Sequence, residues 1–371
     1  MALFLLCLIY TTPAVADNTN PFTSGQSHYD QNEFSLALAD WQKAASQGYT
    51  PAMDKLADMY ANGTGVPVDY KKALEYWHQA ADKGDSDAMY EIGLSYELAR
   101  GVPKDSATRD TWLNKALEKC NIHAAGRFLG SSEKTDEAVA CLRKNAQAGD
   151  YKAMLDLAGK NWDGNAVLKN PLEAISWGKM AQDAMQKNAD AGDTQAMYYL
   201  GRTLFGGAGD AIHADTYHGL QWFEKAAALG DIDSINRLVA IYATDDTYKN
   251  DDRVRSWNKK AIEYYTIKAQ KGDVNAMLRL AGKYNSPPNG EGKDVNKAAD
   301  WAQKAAALGS RDALTLLGYI YEDEGKNNDN PLHDCKKAHD FYDKAAILDE
   351  PKAHARLEAR AKGAQGPGCD F

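Results

Sequence analysis

Along most of this chain, apolar and small residues recur with a helical period, and they come as two alternating phrases. The first ends in an aromatic residue, an Ala pair and a Gly: Trp41-Gln42-Lys43-Ala44-Ala45-Ser46-Gln47-Gly48, then Trp77-His78-Gln79-Ala80-Ala81-Asp82-Lys83-Gly84. Later copies open at Trp222, Trp301 and Phe341, and weaker ones end at Lys119, Gly149, Gly192 and Gly272. Successive ends lie 30 to 43 residues apart. The second phrase follows each end, as in Asp87-Ala88-Met89-Tyr90-Glu91-Ile92-Gly93 and Asp312-Ala313-Leu314-Thr315-Leu316-Leu317-Gly318. Its apolar residues fall at i, i+4, i+5 and i+8, one face of an α-helix. Each unit therefore reads as helix A, a loop and helix B, and residues 28–362 read as an all-α repeat array.

The small positions have a steric reason. Helices approach closely only where side chains are small, and Tyr, Leu and Trp fill the space around them. Core positions are assigned to Tyr60, Trp77, Tyr96, Tyr242 and Tyr321. Gly at the end of helix B suits a left-handed cap. Asp after it (Asp85, Asp150, Asp193, Asp231, Asp273) suits the N-cap or first turn of the next helix. The A–B loop is Gly63-Thr64-Gly65-Val66-Pro67-Val68-Asp69 in the best copy and Gly101-Val102-Pro103-Lys104-Asp105 in the next. Copies at 121–149, 150–192 and 231–272 differ in length, and their insertions are expected in loops.

The ends read differently. Residues 1–16 carry no charge, hold the apolar run Leu3 to Tyr10, and finish in Ala14-Val15-Ala16, so they read as a signal peptide cut after Ala16. No Lys or Arg precedes the run, and acylation of Cys7 is the second reading. The run is too short to span a bilayer, so no stable membrane insertion is expected after cleavage. Residues 17–27 are expected to be a linker. Cys120, Cys141, Cys335 and Cys369 remain; in an exported chain four cysteines favour two disulfides, from three connectivities.

The repeat resembles the Sel1-like repeat, a relative of the tetratricopeptide repeat, through Gly63, Gly65, Val66, Asp69, Lys72, Ala73, Trp77, Ala80 and Gly84. The resemblance implies a right-handed α-solenoid in which only neighbouring repeats touch, with helix A lining the concave face. It implies a terminal cap helix over 351–362, antiparallel to the helix beginning near Cys335. The tail 363–371 could then return to that helix, which supports Cys335–Cys369 and leaves Cys120–Cys141 to brace the shortest repeat. It also implies concave positions two and six residues after the first Ala of helix A: Asp54 and Asp58, Tyr90 and Leu94, Tyr198 and Arg202, Asn236 and Ala240, Leu278 and Gly282, Thr315 and Tyr319.

Composition narrows the chemistry. The 371 residues carry 43 Lys+Arg against 52 Asp+Glu, a net charge of −9, which disfavours nucleic acid as a partner. His213 and His218 do not share a helix face; His333-Asp334-Cys335 and His339 could suggest a metal, but Cys335 is wanted for a disulfide and no second ligand cluster is near, and no CxxC is present. Gly206-Gly207-Ala208-Gly209 is not preceded by a strand, and no Gly-x-Ser-x-Gly elbow occurs. The expectation is a non-enzymatic periplasmic protein without cofactor or metal that binds another protein. Exported members of the repeat family resemble immunity proteins that neutralise phospholipase effectors of type VI secretion. The alternative is a periplasmic scaffold or regulator of a secretion complex or sensor kinase.

Overall fold

The computed structural model describes residues 20–129, 134–164, 167–206, 214–288, 292–323, 330–348 and, singly, 353, 355, 357 and 358. The expected signal peptide, the tail 363–371 with Cys369, His213 and Gly207 to Gly209 lie outside these. The described residues form helices α1 (Pro21–Asp30), α2 (Phe34–Ser46), α3 (Thr50–Asn62), α4 (Tyr70–Asp82), α5 (Ser86–Glu97), α6 (Ser106–Glu118) and α7 (Ile122–Phe128). Then come α8 (Thr135–Gln147), α9 (Tyr151–Asp163), α10 (Pro171–Asp190), α11 (Thr194–Gly206), α12 (Thr216–Ala228), α13 (Ile232–Thr244) and α14 (Asp251–Gln270). The last are α15 (Val274–Asn285), α16 (Val295–Ala307), α17 (Arg311–Glu322) and α18 (Cys335–Ile347). Each helix packs on the next in an all-α solenoid.

The repeat phrases set the helix ends. Gly84, Gly149, Gly192, Gly230, Gly272 and Gly309 all have positive φ. Asp85, Asp150, Asp193, Asp231 and Asp273 then accept hydrogen bonds from backbone N–H groups in the first turn of the following helix, at 2.7–3.2 Å. After α6, Cys120 takes the glycine position with φ 62° and is bonded to Cys141, Cα atoms 5.0 Å apart. That bridge closes a 21-residue separation beside α7, the shortest of the described helices; such a loop is worth about 3 kcal/mol. Cys335 is also disulfide-bonded. Ala353 and Leu357 are helical and join the last core cluster.

Small residues sit where helices meet. A Cβ on Gly318 would lie 2.3 Å from the Tyr342 ring, and one on Gly201 2.9 Å from Phe223. Two expectations from the sequence are corrected. Residues 21–27 are not linker but the start of α1, capped by Asn20, with Gly25 against Trp41, whose indole N–H donates to the Phe22 carbonyl at 3.2 Å. The insertions in two irregular repeats lengthen helices as well: α10 and α14 each run 20 residues, against 13 in most others.

A third correction concerns neighbours. The superhelix completes a turn, and repeats six helix pairs apart touch. The loop after α3 pairs with the turn before α15. Gly65 N–H donates to the Gly272 carbonyl at 3.2 Å and Val274 N–H to the Gly63 carbonyl at 3.1 Å, flanking an antiparallel bridge between Thr64 and Asp273. Val68 N–H donates to the Leu308 carbonyl at 2.9 Å. Val274, 1% exposed, covers Gly63, where a Cβ would come within 2.6 Å of it.

Arg311 closes the same seam. It is 5% exposed, and its guanidinium donates to the Leu98 carbonyl at 3.0 Å, Ala99 at 3.1 Å and Leu348 at 3.3 Å. These carbonyls belong to the C-terminal ends of α5 and α18, where the helix dipole is negative. The cation also lies 5.3 Å from the Tyr70 ring. Removing it leaves these part-buried carbonyls without their guanidinium donor. Arg311→Ala is therefore expected to cost roughly 2–4 kcal/mol in urea unfolding and to raise the radius of gyration in X-ray scattering without loss of helical circular dichroism. An unchanged radius would show that closure does not depend on Arg311.

Candidate partner-binding face

Charged residues of successive A helices lie within electrostatic reach of one another. On α3 and α5, Asp54, Asp58, Asp87 and Glu91 crowd together. Burial, then repulsion from Asp85, raises the Asp54 carboxyl to about 8; a hydrogen bond to Asp85 and the charges of Asp58 and Asp87 push the same way. Burial and then Asp58 raise Glu91 to about 7. Burial raises Asp58 too, and Lys55 offsets part of it. Asp58 is nonetheless reached by solvent. Water touches Asp58, but surrounding protein lowers the effective dielectric around it.

Farther along the wall the sign changes. Arg202 on α11, Arg237 on α13 and Arg279 on α15 are exposed. On α15, burial and then Arg279 lower the Lys283 ammonium to about 8, and it donates to Asn258 at 3.0 Å. The two halves meet at α9, where burial raises Asp156 and Lys160, Arg202 and His123 act on it electrostatically. Among the described residues, none of Asp54, Asp58, Asp87, Glu91, Arg202, Arg237 and Arg279 forms an ion pair. Pairs elsewhere, such as Arg143–Glu173 at 2.9 Å and Lys293–Asp323 at 3.0 Å, neutralise their charges.

Two clefts stand out. One, of about 420 Å³, lies between α15 and α17 on this wall, lined by Asn275, Leu278, Arg279, Asp312, Thr315, Leu316 and Tyr319. A larger one, of about 1070 Å³, lies by α8 and the start of α10 and includes the paired Arg143 and Glu173.

The sixth-position residues expected to line the face differ in exposure. Asp58, Arg202 and Tyr319 are exposed. The second-position residues are more enclosed. Tyr198 packs near Phe223, with ring centroids 5.8 Å apart; Asn236 donates to the Tyr265 hydroxyl at 2.8 Å; Thr315 is buried. Tyr90 is half-buried and stacks near His123 at 5.5 Å. Asp54 is half-buried within the carboxylate cluster. The third position was missed: Glu91, Asp156, Arg237 and Arg279 occupy it. It lies one helical turn from the sixth, and its run of charged residues was the available signal.

A family model described as Sel1 repeat matches residues 50–85, 86–108, 152–181, 194–231, 274–310 and 311–350, more than half of the chain. The chain belongs to the Sel1 repeat family. Members of this family are protein-binding solenoids. The chain is 30% identical over 247 residues to the chitin synthase regulator SKT5 of Saccharomyces cerevisiae. That match takes in 65% of this chain and spans about a third of the yeast protein's length (34%). A Sel1-like-repeat antigen of uropathogenic Escherichia coli, c5321, is 24% identical, covering 93% of this chain and 80% of its own, with a TM-score of 0.35. The immunity protein Pa5087 of Pseudomonas aeruginosa is 18% identical, covering 63% and 83%, with a TM-score of 0.34. None of the described helices is long and apolar enough to cross a membrane.

The carboxylate cluster has a thermodynamic signature. Asp54 binds its proton more tightly in the folded state, so its contribution to stability is full below the unfolded pKa near 3.8 and is lost as pH rises towards 8. Asp54→Asn removes the ionisation. Its melting temperature is expected to exceed wild type by roughly 2–4 °C at pH 8.5, with the difference shrinking towards pH 5. Parallel melting curves across that range would rule the cluster out as a source of strain.

Proposed function

We propose that this chain is an exported inhibitor that holds a basic protein effector, of the lipase type, against the acidic half of its inner wall. One observation carries the reading: burial and neighbouring carboxylates, Asp87 among them, raise the Asp54, Asp58 and Glu91 carboxyls, and among the described residues no cation is ion-paired to any of them. A partner's Lys or Arg side chain would relieve that repulsion, and inside a closed turn the gain is screened less than on an open surface. A net charge of −9 would speed the encounter with a basic partner. The sequence features of export and the family's resemblance to periplasmic immunity proteins supply the class of partner and the periplasmic location.

The second reading is a periplasmic scaffold or regulator of a secretion complex or sensor kinase. The relative named as a regulator of chitin synthase favours regulation as the general role.

The two separate in one experiment. The mature, oxidised protein is used to capture partners from the periplasm of its own organism, and the captured protein is assayed with and without added solenoid. A lipase inhibited at one-to-one stoichiometry supports the inhibitor. Asp54→Asn with Asp58→Asn and Glu91→Gln should then weaken inhibition about 10- to 100-fold, and wild-type affinity should rise from pH 6 to pH 8 as the carboxylates ionise. Capture of a sensor ectodomain or secretion component, with no effect on lipase activity, overturns it in favour of the regulator.

A further inference from the structure

The geometry points to a second subsite on the inner wall. We infer that the cleft between α15 and α17 takes an extended, acidic and apolar segment of the same partner, so that the wall recognises a protein carrying both a basic patch and an acidic–apolar strand. The inference rests on the concave wall being the binding face, as proposed above.

Three observations carry it. The cleft has an apolar floor and lip, with Leu278 and Leu316 half-buried and Tyr319 40% exposed. A large aromatic side chain left this open beside a cleft suits a packing partner from another chain. Next, the α15 side is cationic. Arg279 is exposed, forms no hydrogen bond or ion pair with a described residue, and stands close enough to Lys283 to help push its ammonium down. A carboxylate brought into the cleft would be stabilised by the Arg279 guanidinium, with Lys283, outside the lining, adding attraction at longer range. Asp233 lies within electrostatic reach of Arg279 but forms no ion pair with it. Asp312 places a negative charge on the opposite, α17 side of the cleft, which directs an incoming carboxylate towards α15. Finally, Arg202 and Arg237 extend the positive half along α11 and α13, while the carboxylates of α3 and α5 hold the other half. A partner with a single sign of charge would be repelled by one half of this wall.

Two fluorescein-labelled peptides test the subsite on the full mature protein by anisotropy. One alternates Asp and Leu over nine residues, and the other alternates Lys and Leu. The acidic peptide is expected to bind, to weaken about 10-fold with Arg279→Glu and with Tyr319→Ser, and to be displaced as salt rises from 50 to about 500 mM. Its affinity should be unaffected by Asp54→Asn with Asp58→Asn. The basic peptide should show the reverse pattern, lost in the carboxylate variants and kept in Arg279→Glu. Unchanged circular dichroism of each variant separates lost contacts from lost fold. Failure of the acidic peptide to bind, or binding indifferent to Arg279 and Tyr319, overturns the subsite even if the basic peptide behaves as expected. Failure of the basic peptide alone would instead sink the acidic-wall reading and leave the subsite standing.

Discussion

Gly63, Gly65, Gly272 and Gly309 leave no side chain between the loop after α3 and the turns that open α15 and α17. A Cβ on Gly65 would fall 2.3 Å from that of Phe34, and one on Gly309 3.3 Å from the Val68 carbonyl oxygen. All four have positive φ, so an alanine would be strained at each, and crowded at Gly63, Gly65 and Gly309. In an open solenoid, curvature is a small rotation per repeat fixed only by packing against the next one. Here the rotations of six successive repeats must sum to a closure good enough for hydrogen bonds of 2.9–3.2 Å. The seam therefore couples the repeats, and Arg311 ties the ends of α5 and α18 to that coupling.

The local parts of this architecture were legible in the sequence. A Gly followed by Asp and then a helical apolar stripe contains its own cap, its own start and its own buried face. Such features depend on residues a few positions apart, and the structure places them as expected. Asp58, Arg202 and Tyr319 are exposed, at the sixth position that the family resemblance implied. The enclosure of Tyr198 and Asn236 was not legible, because it comes from the following B helices: Phe223 on α12 and Tyr265 on α14. The lengths of α10 and α14 were missed because the extra residues of their repeats were expected in loops; the structure instead caps two 20-residue helices with Asn170 and Asn250. The seam was beyond local reading. Gly65 and Gly272 are as informative for a turn as for a contact, and only the accumulated rotation of the intervening repeats brings them together.

The wall itself poses an energetic question. Opposite charges on one surface could have been arranged to neutralise each other, as Arg127 and Glu97 do at 2.7 Å. Instead carboxylates gather on α3 and α5, and guanidinium groups on α11, α13 and α15. Separating them costs stability twice, through repulsion within each group and through attraction forgone between groups. A flexible scaffold would relax that repulsion by letting helices splay apart. A turn closed by backbone hydrogen bonds and a buried arginine does not offer that freedom, so the charges stay where the helices hold them. The repulsion in the free protein is then available as binding energy to whatever brings the complementary charges, without the cost of first ordering the site. On this argument closure and charge segregation are one device: the seam keeps the wall rigid enough for its unneutralised charges to be worth more to a partner than to the fold.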